Sequence, residues 1–305
     1  MAFKSENFLK LSNFIGISSL DIGARGGPNE DLASIAKAVD MYCFEPDMEE
    51  YNKLLDLPKG IWKSLTFIPS AVAANEETFS LNLYRQRGCS SMFKADVKTA
   101  ELFSRGDYYI FDSNVSVSGK SLDQLILEYD IKYPSFLKID IQGMEIECFK
   151  GAVDALSNSL VGIRSEISFF PLYEGNPLFS DVNSELSKYG FVPMRFLELH
   201  EWRRTTKVKW PKKSKGIIPY SRGQMIHGDV LYLLHPECLS DNTESEIKRL
   251  IRLALVSICY GHIDHAYAIF NRQNVTNYVK ENLDFDPIIA LKKLSRKKCL
   301  RLITL

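Results

Sequence analysis

The sequence predicts an α/β fold, in which helices cover both faces of a seven-stranded, mostly parallel sheet. The first observation is that short apolar runs alternate with segments of helical spacing. The second is a glycine-rich turn between the first predicted strand and the helix after it. The third is a pair of late apolar runs, at 191–197 and 230–234, that can pair antiparallel at one edge.

The predicted elements follow in chain order. Strands are expected at 20–22, 41–44, 65–68, 136–140, 161–167, 191–197 and 230–234. Helices are expected at 31–39, 48–55, 121–129 and 142–155. Residues 79–84 alternate apolar with polar side chains, which indicates a half-exposed strand in a small antiparallel excursion.

The character of the chain changes after Pro236. Thr243 and Glu246 form a capping-box pattern, and apolar residues follow at helical spacing. We therefore expect a catalytic domain over residues 1–236 and a helical extension over residues 237–305.

Composition indicates an ordinary soluble globular protein. The 305 residues include 38 Lys+Arg and 38 Asp+Glu, so bulk charge does not predict a nucleic-acid partner. The six cysteines include no Cys-x-x-Cys pair, which argues against a zinc framework or a disulfide scaffold. No apolar stretch is long enough for a membrane helix or a secretory signal, so a cytoplasmic location is expected.

The charge balance conceals two basic regions. Residues 200–222 contain eight basic residues and one acid, and residues 292–305 contain six basic residues and no acid. The remainder of the chain is therefore acidic, and this separation of charge points to an anionic acceptor or partner.

The turn that starts at Gly23 is typical of a nucleotide-like ligand, because glycines let the backbone approach a ligand closely. A phosphate-binding loop of the Walker type is absent from the sequence. The dinucleotide fingerprint also fails, because Arg25 and Pro28 occupy its second and third glycine positions.

Two acids accompany the turn. Asp21 precedes Gly23 by two residues, and Glu45 ends the second predicted strand, where an acid can accept hydrogen bonds from ribose hydroxyls. The sugar would then belong to adenosine. The alternative is that Asp21 only caps the turn and that Glu45 and Asp47 only start the next helix.

At this point the sequence resembles the FkbM-type family of S-adenosylmethionine-dependent methyltransferases. The resemblance covers roughly residues 15–200, and its most specific block runs from Leu137 to Ala152. The other motifs are Asp21-Ile-Gly-Ala-Arg-Gly-Gly27, Phe44-Glu-Pro-Asp47, Pro69-Ser-Ala-Val72, and Glu166 followed by Pro171-Leu-Tyr-Glu-Gly175.

The resemblance implies a class I methyltransferase (Rossmann-like) fold with S-adenosyl-L-methionine as the cofactor. It assigns Asp21 and the turn residues Gly23 and Gly27 to the methionine part of the cofactor. Glu45 would bind the ribose. The remaining predicted cofactor residues are Ala24 and Gly26 in the turn, and Ser70 and Ala71 near the adenine.

Asp140 and Glu166 are the candidate catalytic residues, because both lie where predicted strands end and ligands of open α/β sheets bind there. Asp140 can act as a base, orient the acceptor, or contribute to a metal site with Glu145 or Glu166. The alternatives are that Asp140 caps a helix and that Glu145 only compensates a helix dipole. We predict no metal site.

Other polar residues are weaker candidates. His262 and His265 flank Asp264 at helical spacing, which is more typical of a solvated helix face than of a metal site. His227 precedes the last strand, where either a general base or plain loop polarity explains it. Tyr173 is a candidate for the wall of the acceptor pocket.

The basic loop at 200–222 is predicted to form a lid over the acceptor site, where it can bind phosphate-bearing groups. A solvated loop is the alternative. The expected reaction is O-methylation of a hydroxyl on a sugar or glycan precursor. Competing hypotheses are methylation of nitrogen or of another small molecule, and a non-catalytic binding or scaffold protein. The helical extension is a candidate surface for a homo-oligomer.

Overall fold

The computed structural model describes residues 5–211 and 220–302, with side chains described as far as residue 294. The strands are β1 Ile17–Ile22, β2 Val39–Phe44, β3 Ser64–Ile68, β4 Ala71–Ala73, β5 Glu77–Tyr84, β6 Phe111–Ser121, β7 Pro134–Ile139, β8 Gly162–Ser168, β9 Phe191–Trp202 and β10 Gln224–Leu234. The α-helices are α1 Glu6–Ile15, α2 Met48–Leu55, α3 Val97–Glu101, α4 Leu122–Glu128, α5 Glu145–Lys150, α6 Val153–Asn158, α7 Phe179–Ser187, α8 Glu244–Tyr260, α9 Ile263–Phe270, α10 Gln273–Leu283 and α11 Pro287–Leu302.

Seven strands form the main sheet in the order β3-β2-β1-β7-β8-β10-β9. Neighbouring strands are parallel except at β10, which pairs antiparallel with both β8 and β9. The chain order reverses between β1 and β7, and ligands of open α/β sheets bind at such a switch point. The predicted α/β class, with its antiparallel edge and its helical C-terminus, is confirmed.

Strand β1 is buried along its whole length because it lies in the middle of a sheet that packs against helices. Helix α8 contacts β7 and β10 and is buried on nearly every side. Its two central arginines, Arg249 and Arg252, donate hydrogen bonds to backbone carbonyls of Leu160 and Gly16 respectively. The C-terminal helices therefore share one core with the sheet, and the boundary at 236/237 stays a prediction.

Two predicted helices are wrong in extent. The segment 31–39 forms only a six-residue 3₁₀ helix, Ala33–Ala38, because Val39 is the first residue of β2 and pairs with Ile17. The segment 142–155 divides into α5 and α6 at Gly151, where the backbone packs so closely on Ala73 that a Cβ would lie 2.0 Å from its carbonyl oxygen.

The antiparallel excursion is confirmed by the pairing of β5 with β6, in a second sheet of order β4-β6-β5 in which β4 pairs parallel with β6. Its central strand β6 was missed because its sequence is mostly polar and lies largely exposed. The predicted loop at 200–222 is shorter than expected, because β9 continues to Trp202. Residues 212–219 of that loop lie outside the described residues. Within the described ranges, no helix combines the length and apolarity that crossing a membrane requires.

Candidate active site

The glycine turn brings the ends of β1 and β7 into close contact. Gly23 has φ +79°, and a Cβ at this position would lie 2.0 Å from the Asp140 carbonyl oxygen. The backbone N–H groups of Gly23 and Ala24 both donate to the Phe44 carbonyl, which ties the turn to β2. Only glycine fits this crossing, and it places Asp140 beside the turn.

Asp21 lies under the turn and is 1% exposed. One of its oxygens accepts hydrogen bonds from the backbone and side-chain nitrogens of Asn29, at 2.7 and 2.9 Å. Its other oxygen lies 3.2 Å from the Lys138 ammonium, which also donates to the Gly23 carbonyl at 3.1 Å. Burial alone would lower the pKa of Lys138, but the Asp21 and Asp140 carboxylates hold it above its usual value.

A first cleft, which we call the cofactor cleft, opens at the switch point between β1 and β7 and has a volume of about 280 Å³. Four of the eight predicted cofactor residues line it. Its lining residues are Ile22, Gly23, Arg25, Phe44, Glu45, Pro46, Ser70, Ala71, Val72, Leu81, Arg87, Gly88, Ser90, Met92, Lys138, Asp140, Ile141, Gln142 and Met144.

Glu45 is the buried acid of this cleft, at 4% exposure. Its Oε1 atom accepts a hydrogen bond from the Asp47 backbone nitrogen at 2.9 Å. Burial raises the pKa of Glu45, while the hydrogen bond from Asp47 and the nearby Arg25 act in the opposite direction. Asp47 is the N-cap of α2: its side chain accepts a hydrogen bond from the Glu49 backbone nitrogen, and it pairs with Arg25 at 2.8 Å. Glu45 is therefore not needed as a helix cap and faces the cleft.

The predicted cofactor residues separate into two groups. Gly23, Glu45, Ser70 and Ala71 line the cofactor cleft. The others lie behind or beside this lining. Ala24 is buried, Gly26 donates its backbone N–H to Glu50 at 3.1 Å, and Gly27 donates to the Ala24 carbonyl at 3.0 Å. Together with Asp21, these residues shape the turn.

A second cleft, which we call the acceptor cleft, has a volume of about 480 Å³ and opens beside the first. Gly88, Asp140 and Gln142 line both clefts and form the wall between them. Its lining residues are Gln86, Gly88, Cys89, Arg105, Tyr108, Tyr109, Asp140, Gln142, Arg164, Glu166, Ser168, Leu172, Tyr173, Glu198, His200, Trp202, His227, Gly228 and Asp229.

A chain of polar side chains joins the two predicted catalytic acids. The Gln142 amide nitrogen donates to Asp140 Oδ1 at 2.8 Å and to Glu166 Oε2 at 2.6 Å. On the far side, Glu166 Oε1 lies 3.1 Å from His227 Nδ1. The amide oxygen of Gln142 accepts from the Tyr173 hydroxyl at 3.0 Å. Asp140 and Glu166 therefore belong to one hydrogen-bonded group.

Burial favours the neutral forms of Glu166 and His227. Burial, together with the neighbouring Asp140 carboxylate, raises the pKa of Glu166 well above its usual range. Burial and the His200 imidazole, which stacks on the His227 ring at a centroid distance of 4.4 Å, lower the pKa of His227 to about 4. The protonated form of Glu166 that these surroundings favour can donate a hydrogen bond toward His227 Nδ1.

One cation in the acceptor cleft is already neutralised. Arg164 on β8 pairs with Asp31 at 3.1 Å and donates through its Nε atom to Asp229 at 2.9 Å. Asp229 lies on β10 and is opposite Glu166 in the strand register. Because two carboxylates bind Arg164, its guanidinium serves the architecture of the sheet more than the capture of an anion.

Several of these positions escaped the sequence reasoning. Gln142 lies within the most specific block of the family resemblance, but the motif does not show that its side chain bonds to both Asp140 and Glu166. That contact depends on an unusual backbone conformation at Gln142, with φ +52°. The sequence leaves His227 as either a general base or a polar loop residue, and its pairing with Glu166 follows from the register of β10 against β8. Tyr173 lines the acceptor cleft, as predicted. Glu145 reaches neither cleft, because its carboxylate accepts from the backbone nitrogens of Ile141 and Gly143 beneath the wall.

The fold defines a Rossmann-like α/β protein, and its two clefts open at the carboxyl ends of the parallel strands, where proteins of this class bind ligands. A family model described as the methyltransferase FkbM domain matches residues 21–193, which is more than half of the chain. The chain therefore belongs to the FkbM methyltransferase family.

Among solved structures, the chain is similar to the methyltransferase FkbM from Methylobacillus flagellatus KT, with 15% identity and a TM-score of 0.35. The similarity covers 72% of this chain and 44% of that one, so the chain spans less than half the length of that neighbour. No curated protein matches the chain significantly.

Proposed function

We propose that this protein transfers a methyl group from S-adenosylmethionine to a hydroxyl oxygen of a sugar or glycan precursor. The observation that carries the proposal is the position of Asp140, which lines both the cofactor cleft and the acceptor cleft. A group at this wall can contact an acceptor hydroxyl and face the cofactor at the same time. Membership of a methyltransferase family supports the class of reaction.

The cofactor cleft fits an adenosine-containing ligand. Buried Glu45 at the end of β2 offers a carboxylate to a ribose diol, which is the role of the corresponding acid in Rossmann folds. Val72, Leu81 and Met92 provide an apolar surface suited to an adenine ring. When bound, S-adenosylmethionine supplies a methyl group on a positively charged sulfur, already activated for transfer.

Asp140 is the proposed base. Its carboxylate receives a hydrogen bond from Gln142, so its orientation is set before an acceptor binds. Burial and the neighbouring Asp140 carboxylate raise the pKa of Glu166 and favour its protonated form, so the base is assigned to Asp140 and not to Glu166. Asp140 would accept the hydroxyl proton while the acceptor oxygen displaces S-adenosylhomocysteine from the methyl carbon, so that the carbon–sulfur bond breaks as the carbon–oxygen bond forms. Such a base is worth about 10²–10⁴-fold in rate. Holding the reactants in line can contribute roughly 7–11 kcal/mol more.

The polar lining of the acceptor cleft supports a polyhydroxyl acceptor. Amide, carboxyl, imidazole and phenol groups dominate its walls, and buried polar groups require hydrogen-bond partners. A sugar carries both donors and acceptors at close spacing and can satisfy many of them. Trp202 and Tyr108 add flat surfaces at the rim.

Two measurements test the proposal. Calorimetry with S-adenosylmethionine and S-adenosylhomocysteine should detect binding at micromolar concentrations, and the absence of binding to either ligand would reject the cofactor. Incubation with methyl-labelled cofactor and a panel of sugars, amines and other small molecules should label a sugar hydroxyl. Label on nitrogen or on a non-sugar would correct the acceptor class, and cofactor binding without transfer to any acceptor would favour a binding protein.

A further inference from the structure

A third cleft, which we call the basic cleft, continues from the acceptor cleft and has a volume of about 580 Å³. The two clefts share Arg105 and Trp202, so one elongated ligand can occupy both. The basic cleft lies between the segment after α3 and the chain that follows β9. If the reacting end of such a ligand lies in the acceptor cleft, the basic cleft contacts the end that does not react.

The basic cleft differs from the acceptor cleft in its charge. Arg105, Arg203, Arg204 and Lys209 line it, with Glu201 as the single acid in its lining. Within the described residues, none of these four cations has a carboxylate oxygen within 4 Å. Four unneutralised cations around one cleft repel each other, and a bound anion would relieve that repulsion.

Aromatic rings hold the first of these cations in place. The Arg105 guanidinium lies 4.9 Å from the Tyr108 ring centre and 5.6 Å from the Trp202 ring centre, and it donates to the Tyr108 hydroxyl. Trp202 is held in turn by edge contacts with Phe103 and His227, at centroid distances of 5.9 Å. A guanidinium positioned in this way is suited to bind phosphate oxygens through two parallel hydrogen bonds.

The segment that carries the next two cations is also anchored. The Thr205 backbone nitrogen donates to the Leu102 carbonyl at 2.8 Å, and the Thr205 hydroxyl contacts the Ser104 hydroxyl at 2.5 Å. The Arg204 guanidinium lies 6.0 Å from the centre of the Phe103 ring. Arg203 and Arg204 are therefore held against the wall that contains Arg105, which reduces the entropy lost when an anion binds.

We propose that the basic cleft binds the diphosphate group of a sugar diphosphate whose sugar lies in the acceptor cleft. The proposal rests on the proposed methyl transfer and specifies its acceptor. The two ends of such a ligand match the two clefts, because uncharged hydroxyls suit the acid-lined end at Asp140 and phosphates suit the cation-lined end at Arg105. The esterified group beyond the diphosphate is a nucleoside or an isoprenyl chain.

The first test is calorimetry of inorganic pyrophosphate with the full-length protein. We expect saturable binding that weakens as salt is added. The double variant Arg105→Gln/Arg203→Gln should bind at least about tenfold more weakly, since charge-assisted hydrogen bonds are the strong ones. The matched control is Lys94→Gln/Lys188→Gln, which removes two exposed cations that pair with Glu174 and Glu185 outside the three clefts. It should bind pyrophosphate like the wild type.

Absence of binding to the wild type at millimolar pyrophosphate would overturn the proposal, and this arm depends on no variant. Equal loss of affinity in the control would also overturn it, because general surface charge would then explain the binding. Cofactor binding is measured separately. Pyrophosphate binding without cofactor binding rejects the methyl transfer alone, and the reverse result rejects the basic cleft alone.

Two further ligands identify the ester. Uridine diphosphate and geranyl diphosphate are titrated under the same conditions as inorganic pyrophosphate. Tighter binding of one of them than of pyrophosphate assigns a nucleoside or an isoprenyl chain to the outer end. Binding equal to that of pyrophosphate would support recognition of the diphosphate group alone. For each of the three ligands, the double variant Arg105→Gln/Arg203→Gln must lower the binding affinity at least about tenfold for the proposal to stand.

Discussion

The cofactor cleft and the acceptor cleft share a wall but are built in different ways. The cofactor cleft contains a local part, made of residues at or just after the ends of β1, β2 and β3, and a second part from β5, β7 and the segments that follow them. The acceptor cleft is assembled mainly from polar side chains, which come from β8, β9 and β10, from the segment between β5 and β6, and from the turn after β7. A local sequence motif can bind a ligand that a whole family shares. Binding of a particular acceptor requires side chains that the fold brings together from distant positions.

The two clefts also differ in the state of their charged groups. In the cofactor cleft, Glu45 is a single buried acid beside Arg25. In the acceptor cleft, burial and the neighbouring Asp140 carboxylate raise the pKa of Glu166, and burial and the neighbouring His200 imidazole lower the pKa of His227. Paired groups of this kind occur at sites where protons move, so the acceptor side is where we expect the chemistry.

The largest expected effect tests this difference at Asp140. The Asp140→Asn variant keeps the shape of the wall but cannot accept a proton, so turnover should fall by about 10²–10⁴-fold. Cofactor affinity should change far less than turnover, and the two are measured by labelled methyl transfer and by calorimetry. The control is Asp107→Asn, since the Asp107 side chain is 86% exposed and lies outside both clefts. Full turnover in Asp140→Asn would show that Asp140 is not the base.

A second effect concerns the support of the shared wall. Burial raises the pKa of Glu145 to about 7 from a usual value of 4.5. Below about pH 4.5 both the folded and unfolded states carry the proton; as the pH rises to 7, only the unfolded state releases it and stability falls. Glu145→Gln removes this penalty, so the variant should gain at most about 3 kcal/mol above pH 7 and nothing below pH 4.5.

Urea unfolding of wild type and Glu145→Gln across this pH range measures the gain. A matched control is Glu147→Gln, on the same helix α5 and near the surface, where Glu147 pairs with Lys150. Its stability relative to the wild type should not acquire the same pH dependence. A gain at Glu145→Gln that is independent of pH would show that folding does not shift the pKa of this carboxyl.

The smallest of the three effects tests the cofactor cleft. Glu45→Gln removes the negative charge but keeps the side-chain length, so affinity for S-adenosylmethionine should weaken about tenfold. The maximal rate at saturating cofactor should change little, because Glu45 lines only the cofactor cleft. The control is Glu49→Gln on α2, whose side chain is 81% exposed. Unchanged affinity in Glu45→Gln would contradict the ribose assignment.

Part of the lining of the cofactor cleft could be predicted because it directly follows strands in the sequence. Gly23 and Glu45 follow β1 and β2 directly, and parallel strands bring their carboxyl ends to one edge. The two predicted helices with wrong extents failed for reasons outside their own sequences. Val39 is drawn into β2 by pairing with Ile17, and Gly151 must approach Ala73. Local propensity is overridden where strand pairing or close backbone contact decides the conformation.

The sequence by itself determined the α/β class, the turn at Gly23 and the two acids Asp140 and Glu166, because these follow from periodicity and from the order of residues along one strand. Only the tertiary structure decided that Gln142 joins the two acids, that His227 pairs with Glu166, and that Arg105 faces the cations after β9. These contacts join residues 24 to about 100 positions apart. No periodicity encodes such distances, since they depend on strand order and register.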